Sequence, residues 1–319
     1  MPGSSLRSSR RPPVALPRRG AEPPSRGLHT AARARRTVRL ATRRRPERRV
    51  YQSGSLQSID AVDDWGTIAR LYDVEHPACR GAELAFWDQL AAETGGNALE
   101  LAAGSGRVAI ALARKGHHVV GLELSEGMLA RARARTQRLP AAAAERLEWV
   151  QGDMASFDLP TRQFGLIFVA YNSFWLLDTV EAQADCLRCA ARHLAPAGRL
   201  VLDLFPPNAD DFQDDTGIVQ RLPAQHHGRG VLRIKDYTYD PARRVATSDV
   251  RYYAEGPQTG ATAAMFAAFR YGLRLAPPEE VQALLETEGY VVEATYGTYR
   301  RDPLTPDTPR AIFVARRVS

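Results

Sequence analysis

Residues 99–135, LELAAGSGRVAIALARKGHHVVGLELSEGMLARARAR, constrain the fold of this chain more than any other stretch. They read as strand, glycine loop, helix, strand and helix. Leu99 to Ala103 is a short apolar run broken by Glu100. Gly104-Ser105-Gly106 follows as a turn without side-chain bulk, and Val108 to Ala113 opens an apolar helix. His118 to Leu122 is the next strand and ends on Glu123. Glycines here let a backbone approach a ligand closely, and a helix N-terminus offers N–H groups without intrahelical partners. A carboxylate at the end of the second strand, 19 residues after Gly104, is placed to accept hydrogen bonds from ribose hydroxyls.

The same alternation runs on. Strands and helices are expected over 98–103, 107–116, 118–123, 126–138, 147–151, 164–170, 181–195 and 199–205, which predicts a mostly parallel sheet with right-handed crossovers and flanking helices. Two helices are expected within 62–95, broken near His76-Pro77, from the spacing of Trp65, Ile68, Ala69 and Tyr72 and then Leu84, Phe86, Trp87 and Leu90. Pro140 and the alanines 141–144 read as a loop or a frayed helix end. After Pro206-Pro207 the period changes. Gly230–Asp240, Arg244–Glu255 and Ala261–Leu275 alternate like strands and predict a small antiparallel sheet inserted at about 214–275. A helix from Pro277 to Glu288 and strands near 290–297 and 310–317 close the chain, the last strand antiparallel.

Charge divides the chain. Residues 1–50 hold fifteen Arg, no Lys and two acids, a balance of +13, whereas the remainder carries −6. The Arg- and Pro-rich residues 1–57 lack apolar periodicity and are expected to be a disordered tail ahead of one domain over 58–319. An organelle transit peptide, a basic arm for nucleic acid or membrane, and a misplaced translation start all fit that tail. The mildly acidic domain itself is not expected to bind nucleic acid, and no run is long enough to span a membrane. Cys79, Cys186 and Cys189 are too few for a disulfide framework, and Cys186-Leu187-Arg188-Cys189 lacks a second ligand pair. They read as small residues of a reduced, cytoplasmic protein without a metal site.

Glu100, four residues before Gly104, completes the pattern (D/E)-x-x-x-G-x-G with Gly106, and on it the chain resembles the class I S-adenosylmethionine (SAM) dependent methyltransferases. Gly104 to Ala109 also fits G-x-G-x-x-A of the nicotinamide dinucleotide folds. Glu100 favours the first reading: an anionic pyrophosphate gains nothing from a carboxylate at the loop entrance, whereas SAM carries an ammonium and a sulfonium. The resemblance implies SAM contacts from Glu100, Ala102, Gly104, Gly106, Glu123 and Leu124. It further implies that Asp153 accepts a bond from the adenine amino group while Met154 packs on the ring. Tyr171 and Asn172, after the fourth strand, are expected at the methyl-transfer centre and are the weak catalytic candidates. Phe174 and Trp175 belong either there or in the core. Tyr72, with Arg80 a weaker candidate, is either a lid residue near the methionine carboxylate or a core aromatic.

Asp203-Leu204-Phe205 and Tyr296-Gly297-Thr298-Tyr299 with Pro309-Arg310 make the chain similar to bacterial small-molecule methyltransferases, the aminosugar N,N-dimethyltransferases among them. The expected partner is a small-molecule methyl acceptor, an amine before a hydroxyl, because no general base stands out; His226-His227 is the one histidine pair in the insertion. Its aromatics, Tyr237, Tyr239, Tyr252, Tyr253, Phe266, Phe269 and Tyr271, are expected to wall a pocket or face the core or a homodimer partner. The alternatives are an NAD(P)-linked oxidoreductase and a non-catalytic SAM-binding protein.

Overall fold

A computed structural model describes residues 65–76, 78–160, 163–256 and 264–318. All belong to the unit Glu47–Ser319, one of two into which the chain divides. The expected tail over 1–57 lies outside the described residues. The two N-terminal helices are α1 (Trp65–Glu75) and α2 (Gly81–Thr94). The alternating core then runs β1 (Ala98–Leu101), α3 (Ala109–Lys115), β2 (Val119–Glu123), α4 (Glu126–Thr136), α5 (Ala141–Ala144), β3 (Leu147–Gln151), β4 (Phe164–Val169), α6 (Val180–His193) and β5 (Leu194–Leu204). A 3₁₀ turn, Ser173–Leu176, follows β4.

The inserted strands are β6 (Asp215–His226), β7 (Arg229–Asp240), β8 (Val245–Ala254) and β9 (Ala264–Arg274). They precede α7 (Pro278–Thr287), β10 (Tyr290–Tyr296) and β11 (Ala311–Arg317). The main sheet has the order β10-β11-β5-β4-β1-β2-β3. The pairs from β5 to β3 are parallel, and β11 is antiparallel to both neighbours. Strand order reverses between β1 and β4, which opens a crevice at their carboxyl ends.

Helices on both faces explain why β1 and β4 are buried throughout. Side chains alternate along β4: Ile167 and Val169 meet α6 through Cys186, Leu187 and Ala190, while Leu166 and Phe168 meet α2 through Phe86, Trp87 and Leu90. The three thiols are free and buried, and Cys186 and Cys189 belong to the buried face of α6. Phe174 and Trp175 are fully buried, which assigns both to the core. No helix among the described residues is long and apolar enough to cross a membrane.

The second sheet has four strands, in the order β6-β7-β8-β9, where three were expected. β6 escaped the sequence reading because Gly217 and Pro223 interrupt its pattern. Both fall where the pairing with β7 shifts register, and β6 lies at the sheet edge, where a missing N–H is tolerated. On β8 the even-numbered residues from Ala246 to Ala254 are buried. Ile68 and Leu71 of α1 pack on that face against Val231, Val250, Tyr252 and Ala267. Each such fully buried aliphatic side chain contributes about 1.5–3 kcal/mol.

One backbone contact fixes how α2 meets the main sheet. Gly165 on β4 donates to Asn97 O (3.0 Å), and a Cβ at Gly165 would lie 1.8 Å from Gly95 O. Neither backbone can yield without moving α2 or β4, so Gly165→Ala should destabilise the fold by about 3 kcal/mol in chemical denaturation. A change below about 0.5 kcal/mol would show that the loop after α2 adjusts freely.

Candidate active site

The loop after β1 is held by carboxylates from below. Glu123, at the end of β2, accepts from Gly104 N through Oε2 (2.8 Å) and from Ser125 N through Oε1 (2.9 Å). Burial raises its pKa against the pull of these N–H groups. Glu100 is 3% exposed, and its Oε2 accepts from Ala109 N at the first turn of α3 (2.8 Å). Burial pushes Glu100 up to about 8. The sequence reading put Glu100 at the loop entrance; the structure puts it beneath the loop, tying β1 to α3. Gly106 N is bonded to Ala103 O (3.0 Å). Three N–H groups that could cradle an anion are therefore engaged by the protein itself.

The two loop glycines do different work. Gly104 has φ +57° and open space where a Cβ would stand. Gly106 has φ +78°, and a Cβ there would lie 2.5 Å from the Trp149 ring, so its lack of a side chain serves internal packing. Ala102 also lies in the left-handed region, at φ 54°. Beside Glu123, Leu124 is 64% exposed, and Asp153 is exposed with Oδ1 accepting from Ala155 N (2.8 Å). Gly152 N donates to Glu123 O (3.0 Å), which brings these two residues to one rim. Met154 is buried in the core cluster with Leu122 and Phe157, so Leu124 is the apolar side chain that this rim displays.

At the other lip of the crevice the chain leaves β4 through two consecutive non-glycine residues in the left-handed region, Tyr171 (φ 53°) and Asn172 (φ 72°). Such backbone costs energy and persists only where the surroundings hold it. Asp203 on β5 does so. Fully buried, it accepts from Tyr171 N (2.9 Å), Tyr299 Oη (2.8 Å) and Arg310 Nε (2.8 Å). Asn172 Oδ1 accepts from Phe205 N (2.7 Å), so this side chain braces the loop. The Tyr171 ring is 39% exposed and flanked by the guanidinium groups of Arg107 (4.8 Å) and Arg310 (5.6 Å). Arg107 is in turn held by both oxygens of Glu83 (2.7 and 2.6 Å).

Helix α1 covers the crevice. Tyr72 and His76 lie one turn apart, with ring centroids 4.2 Å apart, and His76 meets Tyr171 edge-on at 5.2 Å. Burial pushes the Tyr72 phenol up to about 12, and the charges of Arg107, Glu100 and Glu123 all reach it. The sequence reading left Tyr72 between core and lid; the structure puts it between the glycine loop and the β4 exit. Arg80 is exposed ahead of α2.

His76 was not singled out by the sequence reading, although its spacing from Tyr72 places both on one helix face. Burial, Arg107 and Arg233 push it down to about 4, so the imidazole is neutral near pH 7. Its Nδ1 is buried and has no hydrogen-bond partner among the described residues. His226, by contrast, stacks on Phe266 (3.8 Å) at the end of β6. Asp73 accepts from Ser105 Oγ (2.5 Å), Arg131 Nε (2.7 Å) and Arg135 Nη1 (3.1 Å), and Glu75 pairs with Arg233 and accepts from Tyr252 Oη (2.6 Å). One turn of α1 thus touches the glycine loop, α4 and the second sheet. No cluster of metal-ligating side chains occurs among the described residues.

Comparison with known proteins finds methyltransferases among the proteins that this chain resembles. A family profile described as a methyltransferase domain matches residues 98–198. The chain is 29% identical to a putative methyltransferase, YqeM, of Bacillus subtilis, over 41% of this chain and 51% of that protein. It is 28% identical to the ubiquinone/menaquinone biosynthesis C-methyltransferase UbiE of Roseobacter denitrificans, over 47% of this chain and 59% of that protein. It is 33% identical to the dTDP-3-amino-3,4,6-trideoxy-alpha-D-glucopyranose N,N-dimethyltransferase of Streptomyces venezuelae, over 43% and 52%. The chain thus spans about half the length of these relatives.

Among solved structures, the CcbJ methyltransferase of Streptomyces caelestis aligns with a TM-score of 0.64 and 25% identity, over 80% of this chain and 98% of that one. DesVI of Streptomyces venezuelae aligns at 0.57 and 23%, over 83% and 100%. From its glycine loop to its closing antiparallel strand, this chain has the fold of the class I SAM-dependent methyltransferases, and its residues 98–198 match a methyltransferase domain.

Proposed function

We propose that the protein is a cytoplasmic SAM-dependent methyltransferase that modifies an amine on a small-molecule acceptor. The observation that carries the cofactor reading is the electrostatics of the glycine loop. Its N–H groups at Gly104 and Gly106, and that of Ala109 in the following helix, are bonded to Glu123, Ala103 O and Glu100. A dinucleotide pyrophosphate needs free donors at this place, and these three are already engaged within the protein. A ligand with a cationic end and a ribose fits the same groups. The open side of Gly104, the exposed Leu124 and the exposed Asp153 form a rim that suits an adenosine.

In this reading Glu123 holds the ribose hydroxyls, Leu124 lies against the adenine and Asp153 accepts from its amino group. Tyr72 faces the cationic methionine end, and Glu100 lies beneath the loop under it. When bound, SAM supplies an electrophilic methyl group on a positively charged sulfur whose leaving form is neutral. The protein's task is then alignment and exclusion of water. Tyr171, braced by Arg107, Arg310 and the Asp203 network, fixes one wall, and Tyr72 and His76 close the other. A hydroxyl acceptor would need a general base. The histidine at this wall is pushed down to about 4, too weak for that task, whereas an amine attacks in its neutral form without one.

The N,N-dimethyltransferase relative acts on an amino sugar and the UbiE relative on carbon, and each matches less than half of this chain. The second sheet is the acceptor-side wall. Its outer face carries the pairs Arg251–Asp236 and Arg270–Asp249, a charged surface less suited to the homodimer contact expected from sequence.

Glu123→Ala should weaken SAM binding in calorimetry by about 1.5–3 kcal/mol while the fold is retained. Unchanged affinity in a folded variant would contradict the ribose assignment.

Glu100 adds a pH signature. Its value near 8 lies above the ordinary carboxylate range, so at pH 7 the group is mostly protonated. A cation bound beside it lowers that value and expels the proton. SAM binding at pH 7 should therefore release about one proton, read from calorimetry in buffers of different ionisation heat, and Glu100→Gln should abolish the release. Equal release by the variant would place the methionine end elsewhere.

A further inference from the structure

The chain has 41 arginines and two lysines, and the lysines differ in their surroundings. Lys115 pairs with Asp88 (3.4 Å) at the end of α3. Lys235 lies on β7, in register with Val250 of β8, and so on the inner face of the second sheet. Its Nζ lies 5.1 Å from the Tyr237 ring centroid and 5.9 Å from that of Tyr271, and it has no ion-pair partner among the described residues. The arginines nearby are neutralised: Arg233 by Glu75, Arg310 by Asp203 and Arg107 by Glu83. Aromatic faces offset part of the cost of drying an ammonium but leave its charge open to an anion.

A further observation converges on this spot. Ser248 stands in register between Tyr237 and Tyr271, is fully buried, and its Oγ has no hydrogen-bond partner. A buried hydroxyl left unpaired is costly unless a ligand or water completes it. Along the inner face, Val250 of the Lys235 row is buried in one cluster with Ile68 and Leu71 of α1, and Ala246 at the other end lies in the main core. Arg233, two residues along β7 from Lys235 or about 6.8 Å, pairs with Glu75 of α1, the helix that carries Tyr72.

We propose that Lys235, with Ser248 Oγ and between the rings of Tyr237 and Tyr271, binds an oxyanion on the methyl acceptor, a carboxylate or a phosphate. This rests on the methyltransferase reading and adds to it a negatively charged handle on the substrate.

The two lysines make the test direct. The full chain, first shown by calorimetry to bind S-adenosylhomocysteine and then saturated with it, is labelled with a limiting N-hydroxysuccinimidyl ester. Modification at Lys235 and Lys115 is compared by mass spectrometry. Inorganic phosphate and acetate are the probes, with sodium chloride at matched ionic strength as the reference. Several-fold, saturable protection of Lys235 with Lys115 unchanged is the expected result; protection by phosphate alone identifies a phosphate on the acceptor, and by acetate alone a carboxylate. Lys235→Met should bind S-adenosylhomocysteine normally and lose the phosphate-induced broadening seen by ³¹P NMR or the acetate broadening seen by ¹³C NMR. A Lys235 to Lys115 ratio that neither probe moves, in protein that binds the cofactor product, overturns the oxyanion site and leaves the cofactor reading standing. Failure to bind S-adenosylhomocysteine overturns the cofactor reading instead.

Discussion

Gly104 N of the glycine loop and Ala109 N of the helix after it are bound by the protein's own carboxylates, and the character of the site follows from that. Glu123 joins Gly104 to Ser125, and Glu100 joins β1 to α3. A carboxylate removed from water is tolerated only where donors surround it or a proton neutralises it. Here the loop and helix amides supply the donors, and the raised pKa of Glu100 shows that they only partly offset its burial. The outcome is a loop whose Gly104 and Gly106 amides are already engaged within the protein. The same fold with free amides at this turn would favour a phosphate.

The crevice is closed by one turn of helix with contacts in three directions. Asp73 reaches the glycine loop and α4, Glu75 reaches the second sheet, and Tyr72 and His76 point between them at Tyr171. Such an arrangement ties the geometry of the cofactor loop to that of the acceptor wall. On the opposite lip, Asp203 joins the β4 exit to the C-terminal segment through Tyr299 and Arg310. The left-handed backbone at Tyr171 and Asn172 persists because these bonds over-determine it.

Most of the fold was legible in the sequence because its signals are local. The main strands and helices lie within a few residues of their expected spans, since apolar runs and turn residues mark them directly. β6 was hidden because an edge strand with a glycine, a proline and two register shifts shows no clean alternation. Within the site, the strand ends brought Gly104, Glu123 and Tyr171 to one end of the sheet, and the family resemblance added Glu100, Leu124, Asp153 and Tyr72. It did not separate the two glycines, because the Trp149 ring behind Gly106 is a tertiary neighbour. Nor did it separate Met154 from Leu124, because which of two adjacent-strand side chains turns inward depends on packing. His76 and Asp203 gain their significance from partners as distant in sequence as Tyr171, Tyr299 and Arg310.

The central claim is that the carboxylate-lined loop and the α1 turn above it form a SAM pocket. Amide hydrogen exchange of the full chain with and without S-adenosylhomocysteine, with NADH in parallel, tests it most directly. The account predicts that S-adenosylhomocysteine slows exchange at α1, at the loop from Ala102 to Val108, and at Leu124 and Asp153 with their neighbours, while NADH leaves these segments unchanged. Protection of the same loop by NADH, or no protection there by S-adenosylhomocysteine, would contradict it.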